Sequence, residues 1–240
     1  MSLVLHRGAE LVKRDTLATI EVPQPTDTYT PVPHNQLVDT LSVIGQDILT
    51  GHTLLKEQFA LARDGKQMFG VLVFQNGNSS LGLSIGFRNS YDKSMAIGIA
   101  IGASVFICDN LALSGDITVL KKHTQNVWQS LEDVAIATLY RSQQNYQNII
   151  SDSERMKTLP LEDEEAFKTL GLLYGKGVIS PRQIPAVKRE WEIPSHDEFK
   201  DRNTWSFYNA CTEALKSCPP LVIMEKHISL HNVMCGKEAS

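Results

Sequence analysis

The run Leu81-Gly82-Leu83-Ser84-Ile85-Gly86-Phe87-Arg88 decides how this chain folds. Bulky residues take every second position and small or polar ones the positions between, which is the period of a strand whose two faces differ. The device returns over residues 95–107. There Met95, Ile97, Ile99, Ile101, Val105 and Ile107 fall on one side, and Ala96, Gly98, Ala100, Gly102 and Ser104 on the other. Between the two strands, Arg88-Asn89-Ser90-Tyr91-Asp92-Lys93-Ser94 reads as a turn rich in hydrogen-bonding side chains. The sheet therefore has one heavy face and one nearly bare face. Glycine inside a strand costs roughly 0.5–1 kcal/mol and offers nothing to pack, so a row of them marks close approach by something else. Two covers fit: the helix that follows Thr124, or a second subunit or nucleic acid.

Working outward, Leu55, Phe59 and Leu61 alternate with polar or small neighbours, Arg63-Asp64-Gly65-Lys66 supplies a hairpin turn, and residues 68–74 form the return strand. Asn76-Gly77-Asn78 turns the chain again, and a short fifth strand over 117–120 ends on Lys121-Lys122-His123. Upstream, a short helix or strand reaches Val22, and the prolines of Pro23-Gln24-Pro25 and Thr30-Pro31-Val32-Pro33 exclude a helix beyond it. Asn35 is the expected cap of a helix with Leu37, Leu41, Ile44 and Ile48 on one face. After Thr124 the period changes: Trp128, Leu131, Val134, Ala135, Thr138 and Leu139 define a long amphipathic helix that continues to Met156. Further helices are expected over 162–174, 181–191 and 204–217, with a last one ending at Gly236. The fold class is α+β: a curved, mostly antiparallel sheet of about five strands, then the long helix and a helical C-terminal half. Residues 1–150 form the expected core domain and 151–240 a helical extension packed on it.

The 240 residues are 42% hydrophobic and 21% charged, an ordinary balance for a folded protein of this size. No apolar run is long enough to cross a bilayer, and the first fifteen residues carry charge too early for a signal-peptide core. Four cysteines without a Cys-x-x-Cys pair are expected as free thiols, and the expected compartment is the cytoplasm. A net charge of −4, with neither half basic, argues against coating nucleic acid by bulk charge. A cationic site must be local.

Motifs that would force a chemistry are missing: there is no phosphate loop, no Gly-x-Ser-x-Gly elbow and no dinucleotide fingerprint. Asp92, Cys108, Asp109 and His123 are the best enzyme candidates, yet Cys108-Asp109-Asn110 stands roughly ~40 Å of extended strand from the Tyr91 turn. His227, His231 and Cys235 fall at i, i+4 and i+8, but the third is about 12 Å of helix rise from the first. A zinc site would need ligands from elsewhere in the chain. The expectation is no metal, no cofactor and no catalytic group.

Five stretches carry a resemblance across nearly the whole chain. They are Tyr29-Thr30-Pro31-Val32-Pro33-His34, Arg88-Asn89-Ser90-Tyr91-Asp92-Lys93-Ser94, Val105-Phe106-Ile107-Cys108-Asp109-Asn110, Lys121-Lys122-His123-Thr124, and Thr204-Trp205-Ser206-Phe207-Tyr208-Asn209-Ala210 with Thr212-Glu213. In order and spacing the chain resembles the phage/plasmid-like proteins grouped as domain of unknown function 932. That resemblance implies a mobile-element setting and DNA metabolism, and the order of elements is similar to the core of ring-forming single-strand annealing proteins. The function expected is non-enzymatic binding of single-stranded DNA by a homo-oligomer, along a groove lined by Arg88, Asn89, Tyr91, Lys93, Lys121, Lys122 and His123. Lys121 and Lys122 are expected beside the middle of the strand over 95–107. The alternative is a protein-interaction module that uses the bare sheet face or the tryptophan-bearing helices, with no membrane contact in either case.

Overall fold

Residues 63–66 close the first hairpin as a type I′ turn. Asp64 and Gly65 both adopt positive φ (55° and 80°), and the Lys66 amide donates to the Arg63 carbonyl at 3.1 Å. Asp-Gly favours this geometry because its twist matches the flanking strands. In the computed structural model, which describes residues 9–76, 81–105, 110–113, 119–121, 124, 126–218 and 220–236, the turn joins β2 (Thr53–Ala62) to β3 (Gln67–Gln75). Next come β4 (Leu81–Ser90) and β5 (Ile97–Val105), the two strands whose alternation is clearest in the sequence.

Every strand pairing among the described residues is antiparallel. The order runs β1 to β6, with β1 (Glu10–Val12) on the outer edge of β2. The free edge of β5 is shared: β6 (Asn110–Leu113) pairs with its last residues and β7 (Val119–Lys121) with its first. The five expected strands are joined by two short ones, β1 and β6, whose three and four residues are too brief to display a period.

Register sorts the faces. Gly70 pairs with Phe87 and Phe87 with Ile99, so the heavy residues of β3, β4 and β5 share one side. On that side lies α2 (His34–Ile48), where Gly45 leaves room for the Phe74 ring. The bare side carries Arg88, which pairs with Gly98 across the β4–β5 ladder. A Cβ at Gly98 would lie 3.1 Å from Arg88 Nε, so the missing side chain is the bed on which the arginine rests. From there Arg88 reaches α7 (Pro220–Met234) and donates to both Glu225 oxygens, at 3.0 and 3.3 Å. The cover traced side chain to side chain on this face comes from the C-terminal helix.

The remaining helices are α1 (Arg14–Thr19), α3 (Val127–Thr158), α4 (Asp163–Gly175), α5 (Ile184–Glu192) and α6 (Thr204–Leu215). The long helix packs along β5 and β7, and its Tyr146 hydroxyl donates to the Leu81 carbonyl at 2.5 Å. It runs unbroken through residues 150 and 151. Asn203 caps α6 by accepting from the Ser206 amide at 2.9 Å. Residues 205–212 of α6 are buried on every side, which marks a central helix rather than a surface one. Buried residues form one cluster from Leu17 to Leu230. Among the described residues no helix is long and apolar enough to cross a membrane.

Candidate functional site

At one end of the sheet the turn of residues 63–66 meets the turn of residues 91–96, and the Tyr91 amide donates to the Lys66 carbonyl at 2.7 Å. Beneath them the first two resembling stretches come together. The His34 and Tyr91 rings stack at 3.9 Å between centroids with planes 7° apart, and the His34 amide donates to the Tyr91 hydroxyl at 2.8 Å. His34 Nε2 lies 2.9 Å from the Gly65 carbonyl, which can only accept, so this nitrogen carries the proton. Nδ1 is then the acceptor for the Asn89 side-chain amide at 3.0 Å, whose other hydrogen goes to the Val32 carbonyl at 2.7 Å. The Tyr29 hydroxyl donates towards the Ser90 and Tyr91 carbonyls at 3.4 and 3.3 Å. Burial pushes the Tyr29 and Tyr91 phenols up.

Above this base the turn is tied by Asp92. Burial alone would raise its pKa, but the Ser94 hydroxyl and amide, the Gln67 amide and the nearby Arg63 outweigh it and hold the carboxyl below its ordinary value. Lys93 takes positive φ (62°), and its ammonium stands 4.6 Å from the Tyr29 ring centroid. Arg63, Lys66 and Lys93 are exposed. A cleft of about 290 Å³ opens beside them, between Ile20, Glu21 and Pro23 on one wall and Asp64, Lys66 and Tyr91 on the other.

The structure divides the residues expected to bind nucleic acid. Arg88, Asn89 and Tyr91 are buried at 4, 0 and 6% exposure and face into the chain, Arg88 towards Glu225 and the other two towards His34. Lys93 faces out. Lys121 pairs with Ile97 at the start of β5, beside the 91–96 turn, rather than with the strand's middle. Lys122 and His123 lie outside the described residues, as do Cys108 and Asp109; Asn110 pairs with Val105 at the opposite end of β5. Sequence reading assigned no role to Tyr29 and His34, although their stretch carried the resemblance, and took Arg63 and Lys66 only as turn residues.

The bare sheet face is closed within the chain, and Trp191 and Trp205 are buried at 2 and 5% exposure. Among the described residues these features define an α+β protein with a seven-stranded antiparallel sheet and a cation-bearing rim above a buried polar base. The chain belongs to the family described as domain of unknown function (DUF932), which matches residues 24–220. No curated protein and no solved structure matches it.

Proposed function

We propose that this protein binds single-stranded nucleic acid, without chemistry of its own, at the sheet end where the 63–66 and 91–96 turns and the end of β7 converge. The observation that carries the reading is the joining of the two turns, which places exposed Arg63, Lys66 and Lys93 on one rim above the His34–Asn89–Tyr91 base. Lys121 ends β7 beside that rim, and Lys122 and His123 follow it in sequence. Arg63 reaches Asp92 only at 3.5 Å with most of its side chain in solvent. An exposed pair of this kind contributes about 0–1 kcal/mol, so a phosphate can take the guanidinium over. Arg88, Asn89 and Tyr91 support the rim rather than touch the strand. The resemblance to phage/plasmid-like proteins supports a mobile-element DNA transaction in the cytoplasm, carried out by an oligomer that repeats the rim.

The test is a salt titration of binding to a labelled single strand. Each phosphate contact contributes ~0.7 to the slope of log affinity against log salt, so Lys66→Ala with Lys93→Asn should lower the slope by ~1.4. Asn is chosen because it tolerates the positive φ of Lys93. Lys188→Ala, on exposed α5 surface, should leave the slope unchanged. Equal slopes for parent and double variant would remove these lysines from the site.

A second reading rests on α4, which leaves Phe167, Leu172 and Tyr174 exposed. It makes the protein an interaction module, and capture of a partner lost on Leu172→Asp, with no oligonucleotide bound, would favour it.

A further inference from the structure

Far from the rim, α3 and α7 bring three different ligand types together. His231 Nε2 lies 3.1 Å from Asp152 Oδ2 and 3.5 Å from Cys235 Sγ, and all three atoms lie within 4.8 Å of one another. Such a triangle has a point at most roughly 2.4 Å from each corner, close to the ~2.0–2.3 Å bonds that zinc makes to oxygen, nitrogen and sulfur. A proton on Nε2 goes to the Asp152 carboxylate and leaves the Cys235 sulfur, a weak acceptor at 3.5 Å, only a small share of it. A cation at the centre serves all three, because each donates a lone pair.

We propose that Asp152, His231 and Cys235 bind one zinc-class divalent cation between α3 and α7, with the Asp152 and Cys235 side chains closing on the ion and solvent completing a tetrahedron. On binding, the Cys235 thiol loses its proton to solvent and its sulfur becomes a thiolate ligand, while His231 stays neutral with its proton on Nδ1. Arg155 stands 3.8 Å from the other Asp152 oxygen, which leaves Oδ2 for the metal.

A second observation points to the same place. Tyr208, on the central helix α6, is 1% exposed, and its hydroxyl has no hydrogen-bond partner among the described residues. Its ring stands edge-on to His231 at 6.0 Å. A solvent molecule held by the metal would give this hydroxyl a partner. Tyr208 is a positioning residue here, and it lies in the resembling stretch of α6.

This inference reverses the sequence-level expectation of no metal. That expectation weighed His227, His231 and Cys235 and required a ligand from elsewhere in the chain; Asp152, 79 residues before His231, stands in that place, and His227 is not in the cluster. It stands independently of nucleic-acid binding.

The test uses the full chain, stripped with chelator and shown by circular dichroism to remain folded, then titrated with cobalt(II) and with zinc. Cobalt should bind at one ion per chain with tetrahedral visible bands and a thiolate charge-transfer band, and zinc should displace it. Because His231 is buried, the ligand variants are the partly exposed Asp152 and Cys235. Asp152→Asn should weaken binding at least ~10-fold, and Cys235→Ser should do the same while abolishing the charge-transfer band. Tyr208→Phe should weaken binding ~10-fold with the band intact, and Cys218→Ser should change nothing. Folded parent that takes up no cobalt overturns the proposal. So does a charge-transfer band that survives Cys235→Ser, since the ion would then sit on another thiol.

Discussion

Replacing Gly70 with Ala tests the packing of the heavy sheet face where it is tightest. Gly70 pairs with Phe87 across the β3–β4 ladder, and the Phe87 ring occupies the space a side chain would need. A Cβ would fall 2.3 Å from Phe87 Cζ, 2.4 Å from Cε2 and 3.1 Å from Phe59 Cδ1. Carbon atoms rest at about 3.5–4.0 Å, so the ring would have to retreat by more than ~1 Å. It has nowhere to go, because Phe87 is fully buried and already packs against Phe59. Overpacking of this kind costs about 1–3 kcal/mol, or ~2–12 °C in melting temperature for a chain of this length. Gly86→Ala is the control: its nearest neighbour would be the Ala100 carbonyl at 3.9 Å, so its stability should stay within ~0.5 kcal/mol of the parent. Urea denaturation followed by circular dichroism reads both. Adding Phe87→Leu to Gly70→Ala should recover part of the loss, giving a coupling of ~1 kcal/mol in a double-mutant cycle. A Gly70→Ala protein as stable as Gly86→Ala would refute the reasoning.

Gly98→Val should cost ~1–3 kcal/mol in the same assay, because its branches press on an Arg88 side chain held by Glu225; an unchanged midpoint would mean the arginine is not clamped there. Asp92 has a depressed pKa in the folded chain, so its ionised form stabilises above the ordinary carboxyl value near ~4 and that contribution is lost as the pH falls through and below it. The parent should therefore lose more stability between pH ~5 and ~3 than Asp92→Asn does, and parallel curves would contradict the assignment. Burial pushes the Cys211 thiol far up and the Cys218 thiol up as well, so in metal-free protein a thiol reagent should modify the partly exposed Cys235 before Cys211 and Cys218 under native conditions, as peptide mapping would read.

Alternation carried most of the sheet into the sequence. Leu81 to Phe87 and Ile97 to Ile101 repeat every second residue because both faces are buried but one takes large side chains and the other small ones, and Asp64-Gly65 states its own turn type. What alternation could not supply is the identity of the cover. Gly98 is small because Arg88 crosses it towards Glu225, a residue 137 positions from the arginine, and no local pattern reports such a contact. The same blindness affected the site. Arg88 looks like a phosphate contact in sequence, since a charged residue beside a turn is usually solvated, yet here an acid on α7 meets it inside the fold. Asn89 and Tyr91 look like recognition residues until His34, more than fifty residues upstream, is placed between them. Lys121 was misplaced along β5 because β6 takes the end of that edge which a single returning strand would have covered.

The nucleic-acid claim is tested most directly by titrating the folded parent into a long labelled single strand at low salt and following anisotropy. Saturable binding is expected, weakening steeply as salt is raised and indifferent to base sequence, with Lys66 and Lys93 protected from acetylation in the complex. Folded protein that leaves the anisotropy flat at low salt would contradict it.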